Sequence, residues 1–162
     1  MVRKTLRLDQ FLPYRLSVAA NRVSDAVAGA YERLFALSIP QWRLIAVLAE
    51  SEGATQNELG QKTVMDKVTV SRAALALARR GLIVRSPNPR DGRSRRLFLS
   101  REGRALYRRI APKALELEDQ VFSSLSEEEL ARFRDILDHI ARKAGALVEA
   151  GERVSGAETG PK

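Results

Sequence analysis

Lys67, Val68, Thr69, Ser71 and Arg72 crowd into one short segment, and Arg90, Asp91, Arg93, Arg95 and Arg96 form a second group beginning eighteen residues after Arg72. These types bind anions and read hydrogen-bonding edges. An arginine fork pairs bidentately with a phosphate or a guanine edge, hydroxyls donate to either, and Val and Thr methyls meet the methyl of thymine. Both groups lie within residues 66–109, where thirteen Lys/Arg face three acids for a local charge of +10, while residues 1–65 carry +2 and residues 110–162 carry −4. Basicity this concentrated, folded onto one surface, attracts a polyanion and releases its condensed counterions. Other chemistry has little to work with. The chain has no cysteine and one histidine, His139, so disulfides, thiolate metal sites and imidazole catalysis lack their residues. No Gly-rich phosphate loop or metal-ligand cluster appears, and residues 127–129 are acidic in the manner of a helix start. The expectation is a non-enzyme without cofactor or metal.

Helical elements must position these residues. Leu16, Ala19, Ala20, Val23, Val27, Ala30, Tyr31 and Leu34 keep the i, i+3, i+4, i+7 spacing of an amphipathic helix. Pro40 suits the first turn of a second helix over residues 40–50, with Trp42, Ile45, Leu48 and Ala49 on one face. Thr55 and Glu58 form a capping box for a short third helix over residues 56–62, and Asp66 caps a fourth that stops at Gly81. Residues 82–85 and 96–99 read as two short strands joined by a long basic tip, SPNPRDGRSR. A fifth helix, kinked at Pro112, follows Ser100. Ser126 and Glu129 then open a sixth, with Leu130, Phe133, Ile136, Leu137, Ile140, Ala141 and Leu147 in register. Residues 151–162 are small and polar and read as a frayed tail.

Two helices joined by a tight turn and followed by a hairpin make a winged helix-turn-helix, whose second helix enters the major groove. With ~100° per residue and Val70 at the core, Ala73, Ala74 and Leu77 fall inside, and Lys67, Val68, Thr69, Ser71 and Arg72 form the outward side of the first turns. Arg72 is the first choice for base readout. An arginine on the hairpin tip can enter the narrow, electronegative minor groove, and Asp91 is spaced to hold a neighbouring arginine extended.

The residues DKVTVSRAALALARRG, then Pro89, Arg90, Asp91, Gly92, Arg93, Ser94, Arg95 and Arg96, resemble the recognition helix and D-x-R wing of the MarR family of bacterial transcription regulators. The likeness extends to Ile39-Pro40-Gln41-Trp42-Arg43, to Leu99-Ser100-Arg101-Glu102-Gly103 and to Leu125-Ser126-Glu127-Glu128-Glu129-Leu130. It implies a homodimer on a pseudo-palindromic operator, usually repressing, with Thr69, Ser71 and Arg72 at recognition-helix positions and Asp91 and Arg93 at the wing signature. It also implies a small aromatic or phenolic acid as effector, for which Tyr14, Arg15, Trp42 and Arg43 are the candidate ligand residues. Leu75 and Ala76 depart from the family, where those positions are often polar.

The expected architecture is therefore mainly α (α+β): a dimerisation helix in residues 1–36, a winged helix-turn-helix lobe with a two-stranded β wing in residues 37–100, dimerisation helices in residues 101–150 and a tail in residues 151–162. Residues 1–7 lack the apolar run of a signal peptide, and no span of ~20 apolar residues occurs, so a cytoplasmic protein with no membrane partner is expected. Two stripes as long as residues 16–34 and 130–147 require apolar partners, which a two-fold twin supplies; a monomeric bundle packing them internally is the alternative. The rival function is a sequence-indifferent DNA-coating protein using the same basic surface.

Overall fold

The computed structural model describes residues 6–89 and 91–157, in the order α1 (Leu12–Phe35), α2 (Ile39–Ala49), β1 (Ala54–Thr55), α3 (Gln56–Thr63), α4 (Lys67–Arg79), β2 (Ile83–Asn88), β3 (Asp91–Leu99), α5 (Arg101–Phe122) and α6 (Glu127–Ala157). The chain divides into two compact units, one reaching to Leu117 and one beginning at Glu118.

Local chemistry fixes most of the boundaries in the first unit. Pro13 stands in the opening turn of α1, where its missing N–H costs no helical bond. Ala36 ends that helix in the left-handed region, its N–H donating to Glu32 O. The Ser38 amide donates to Gln41 Oε1 over 3.0 Å to open α2. The Glu58 carboxylate accepts from the Thr55 amide at 2.7 Å and from its hydroxyl at 3.1 Å, and the bond to the backbone amide leads in holding Glu58 below the usual carboxylate range. Asp66 caps α4 by accepting from the Thr69 amide (2.9 Å) and hydroxyl (2.6 Å); the hydroxyl bond is the larger cause of its lowered pKa.

At the far end of α4 the Gly81 amide donates to Ala78 O and the Leu82 amide to Leu77 O, the paired bonds of a Schellman stop, with Gly81 at φ +68. This turn throws the chain into the sheet. β3 is central and antiparallel to both neighbours, in the order β1-β3-β2, with Ala54 opposite Leu97 and Ile83 opposite Leu99. Leu44, Ile45, Leu48, Leu59, Val70, Leu77, Leu97 and Ile110 are buried together, so α2, α3, α4, the sheet and the start of α5 share one core.

Three expectations change. The hairpin is no pair of short strands with a long tip: its ladder continues to Asn88 opposite Asp91, with an irregularity at Pro87/Asn88, because the β-bulge absorbs the proline without ending the pairing. A third strand, β1, joins it. And residues 151–157, expected as tail, continue α6, since extending a helix already formed adds one hydrogen bond for each residue fixed. The last five residues of that expected tail, residues 158–162, lie outside the described residues.

In the second unit α6 starts on the Ser126–Glu129 box, with the Glu129 amide donating to Ser126 Oγ and the Ser126 amide to Glu129 Oε2. Phe122 and Phe133 meet at 6.1 Å between ring centres. Along α6, Ile136, Leu137, Ile140 and Leu147 are exposed at 47%, 36%, 41% and 75%.

Candidate nucleic-acid interface

α4 is the element on which the charged residues are sorted. Val70, Ala73, Ala74 and Leu77 are buried, which turns Lys67, Val68, Ser71 and Arg72 to solvent; Val68 is 57% exposed. Thr69 is half-buried, and its hydroxyl proton is committed to Asp66, so it keeps only an acceptor for a ligand. Lys67, Ser71 and Arg72 have no hydrogen-bond or ion-pair partner among the described residues. In front of α4, Gln56, Asn57, Gln61, Val64 and Lys67 line an open groove of about 510 Å³. Val64, at φ +52 in the turn between α3 and α4, is 92% exposed there. For a β-branched residue that backbone is strained, and no sequence pattern singled it out.

The wing shows its own sorting. Successive strand residues alternate faces, so Arg95 shares a face of β3 with the buried Leu97 and Leu99, while Arg96 points the other way with Phe98. Arg96 accordingly donates from Nη2 to Gly53 O at 2.5 Å and Glu52 O at 3.3 Å, across the sheet from the wing's basic face. It buttresses the α2–β1 loop, and the alternation could have separated it from Arg95 in the sequence.

Asp91 organises the turn of the wing. Its Oδ1 accepts from the Arg93 amide at 3.0 Å and its carbonyl from Ser94 Oγ at 3.1 Å, so it folds the turn, and no ion pair joins it to an arginine among the described residues. Arg93 is left exposed and without an ion-pair partner among them. Arg90 lies outside the described residues.

Arg80 was not among the expected site residues, yet it ties the interface to the rest of the unit. Its Nη1 donates to Ala36 O at 2.6 Å and its Nη2 to Phe35 O at 3.1 Å, capping the C-terminal carbonyls of α1 from the end of α4. The orientation of α4 is thereby fixed to α1.

The four candidate ligand residues separate. Tyr14 and Arg15, with Asp9, Val18 and Arg22, line an open hollow of about 490 Å³ on α1. Trp42 is packed between Tyr31 (5.1 Å, tilted) and Tyr107 (6.0 Å, stacked), where burial pushes the Tyr31 hydroxyl pKa up. Tyr31 is seventeen residues beyond Tyr14 on the same helix, about 26 Å at 1.5 Å per residue. Trp42 does not line that hollow and is far from Tyr14, and Arg43 is exposed on α2.

A helix pair with an outward basic face and a three-stranded wing defines a winged helix-turn-helix protein. The MarR family model matches residues 37–94, from the loop before α2 into the wing. A probable transcriptional regulator from Pseudomonas aeruginosa is 33% identical, with 83% of this chain and 99% of that one covered and a TM-score of 0.75. Sco3205, a MarR family regulator from Streptomyces coelicolor solved in complex with DNA, is 25% identical over 86% of this chain and 90% of that one, with a TM-score of 0.78. The homoprotocatechuate degradative operon repressor of Escherichia coli is 26% identical over 102 residues, 63% of this chain and 69% of that protein. This chain belongs to the MarR family of transcription regulators.

Proposed function

We propose that this protein is a homodimeric, sequence-selective repressor that binds double-stranded DNA at a pseudo-palindromic operator. The observation that carries the reading is the division of α4 into a buried apolar face and an outward face of Lys67, Val68, Ser71 and Arg72 whose polar groups have no partner among the described residues. Arg93 and Arg95 on the wing extend the same chemistry. The DNA complex of Sco3205 and the repressor name of the Escherichia coli relative support it. In this reading Arg72 and Val68 read base edges, Lys67 and Ser71 bind backbone or base, Thr69 accepts from a base amine, Arg93 enters the minor groove, and Arg90 adds to the wing's charge. In vitro selection with purified protein should enrich an inverted repeat preferred by ~10³ or more over unrelated duplex at physiological salt. Equal affinity for all duplexes would establish a DNA-coating protein instead.

The dimer follows from apolar surface. The exposed α6 stripe and the exposed Leu12 and Leu16 of α1 are faces that a two-fold copy can cover, and such a dimer sets two recognition helices about one DNA turn, ~34 Å, apart. Each fully buried Ile or Leu contributes about 1.5–3 kcal/mol, and an isologous interface uses every residue twice. Ile136→Asp with Ile140→Asp should thus give a monomer in sedimentation and lose the cooperative grip on both half-sites; an unchanged dimer would move the interface elsewhere.

A small aromatic or phenolic acid is the effector this reading carries, in keeping with the homoprotocatechuate operon of the named relative. Tyr14 and Arg15 suit a ring and a carboxylate in their shared hollow, with Arg22 beside them. Trp42 instead serves the core.

A further inference from the structure

Arg85 fell outside both basic groups of the sequence, but the sheet places it with Arg95. In the ladder Arg85 stands opposite Leu97 and Pro87 opposite Arg95, which makes Arg85 and Arg95 diagonal neighbours on one face. That face is apolar where it meets the helices, at Ile83, Leu97 and Leu99, and carries Arg85 and Arg95 with Pro87 where it leaves them. The two arginines line a hollow of about 230 Å³ together with Gln56 and Asn57 at the start of α3.

The polar groups around this hollow fall into two sets. The Thr55 hydroxyl donates to Glu58 and accepts from its amide, and the Ser94 hydroxyl donates to Asp91 O and accepts from Asn88, so both are spent. Glu58, the acid of α3, is turned back onto Thr55. Neither Arg85 nor Arg95 has a hydrogen bond or ion pair among the described residues, and both are exposed. What remains is two guanidinium forks and two carboxamides around an open hollow. Like charges set side by side repel, and an oxyanion between them reverses the sign of that interaction.

We propose that Arg85 and Arg95, with Asn57 and Gln56, form a clamp for one phosphate oxyanion, and that its source is a phosphodiester of the DNA backbone. The clamp rests on the DNA-binding reading above and extends it: it grips the backbone between α3 and the wing without reading bases. It is separate from the base-reading face of Arg72, and it contributes affinity and register on any duplex.

The test uses the full chain, as wild type, R85Q, R95Q and R85K, titrated with operator and with an unrelated duplex over a series of salt concentrations. R85Q and R95Q should each weaken both duplexes by the same factor, about tenfold, leaving the specificity ratio unchanged. The slope of log K against log salt should shrink by ~1 per half-site, because one phosphate contact is lost from each. R85K should keep most of the slope, since a lysine still binds phosphate as a point charge. An R85Q protein with wild-type slope, or one that loses operator preference alone, overturns the clamp while leaving the DNA reading intact. Competition by millimolar inorganic phosphate in wild type that disappears in R85Q, with duplex affinity unchanged between them, assigns the site to a free phosphate and overturns the backbone source. A wild-type protein that binds neither duplex overturns the DNA reading and the clamp with it.

Discussion

Arg72→Ala should cost about 1–3 kcal/mol of discrimination at one base pair in each half-site, with little change in affinity for unrelated duplex. The size of the effect follows from where Arg72 sits. It leaves α4 on the side opposite Val70, Ala74 and Leu77, is exposed, and has no partner among the described residues, so its fork is free to pair with a base edge. In the middle of the helix the outward positions become Leu75 and Ala76, which offer no hydrogen bonds, before Arg79 restores a cation in the last turn. A selection experiment repeated on the variant should show one relaxed position, symmetric about the operator centre. Arg93→Ala provides the contrast, because a minor-groove arginine contributes affinity and an A·T preference flanking the major-groove contacts. If both variants select and bind the operator as wild type does, α4 and the wing are not the reading elements.

The parts of this structure legible in the sequence are those fixed by neighbours along the chain. Thr55 with Glu58, Ser126 with Glu129 and Asp66 before Thr69 are caps whose partners lie three residues away, and each is made as its spacing indicates. The inward side of α4 follows from helical period alone. What was not legible depends on distant chain. β1 is two residues long and exists only because Leu97 and Arg96 present an open strand edge to it. The partners of Arg80 lie more than forty residues away along the chain, and only the fold brings Phe35 and Ala36 beneath it. Between these cases lie Arg96 and Trp42. Strand alternation separates the first from Arg95, and helix rise separates the second from Tyr14, yet a charge cluster and a family likeness had grouped them. Arg85 is the reverse case, excluded by distance along the chain and recovered by pairing across it.

Gly103→Ala should destabilise the protein by about 2–4 kcal/mol, the range of overpacking against a backbone that cannot move aside. Helix propensity alone gives the opposite sign, since alanine is favoured over glycine by about 1 kcal/mol in a helix interior. Gly103 lies in the first turn of α5 and is buried, and a Cβ built there runs into the carbonyl oxygen of Leu82. That oxygen accepts the Ser100 amide at 3.0 Å, while Ser100 Oγ donates to Gly81 O at 2.7 Å and accepts the Gly103 amide at 2.9 Å. Giving way would break the bonds that seat α5 on the turn closing α4. Gly145 in α6 has no heavy atom within 4 Å of such a Cβ, so Gly145→Ala should follow propensity and stabilise by about 0.5–1 kcal/mol. Urea denaturation of both variants at one protein concentration decides the matter: two stabilised proteins would mean that α5 does not approach the α4 turn this closely. The same contact bears on the interface, because the turn it holds sets the end of α4 from which Arg80 reaches back to α1. A loosened Gly103 variant should therefore bind its operator more weakly even at temperatures where it remains folded.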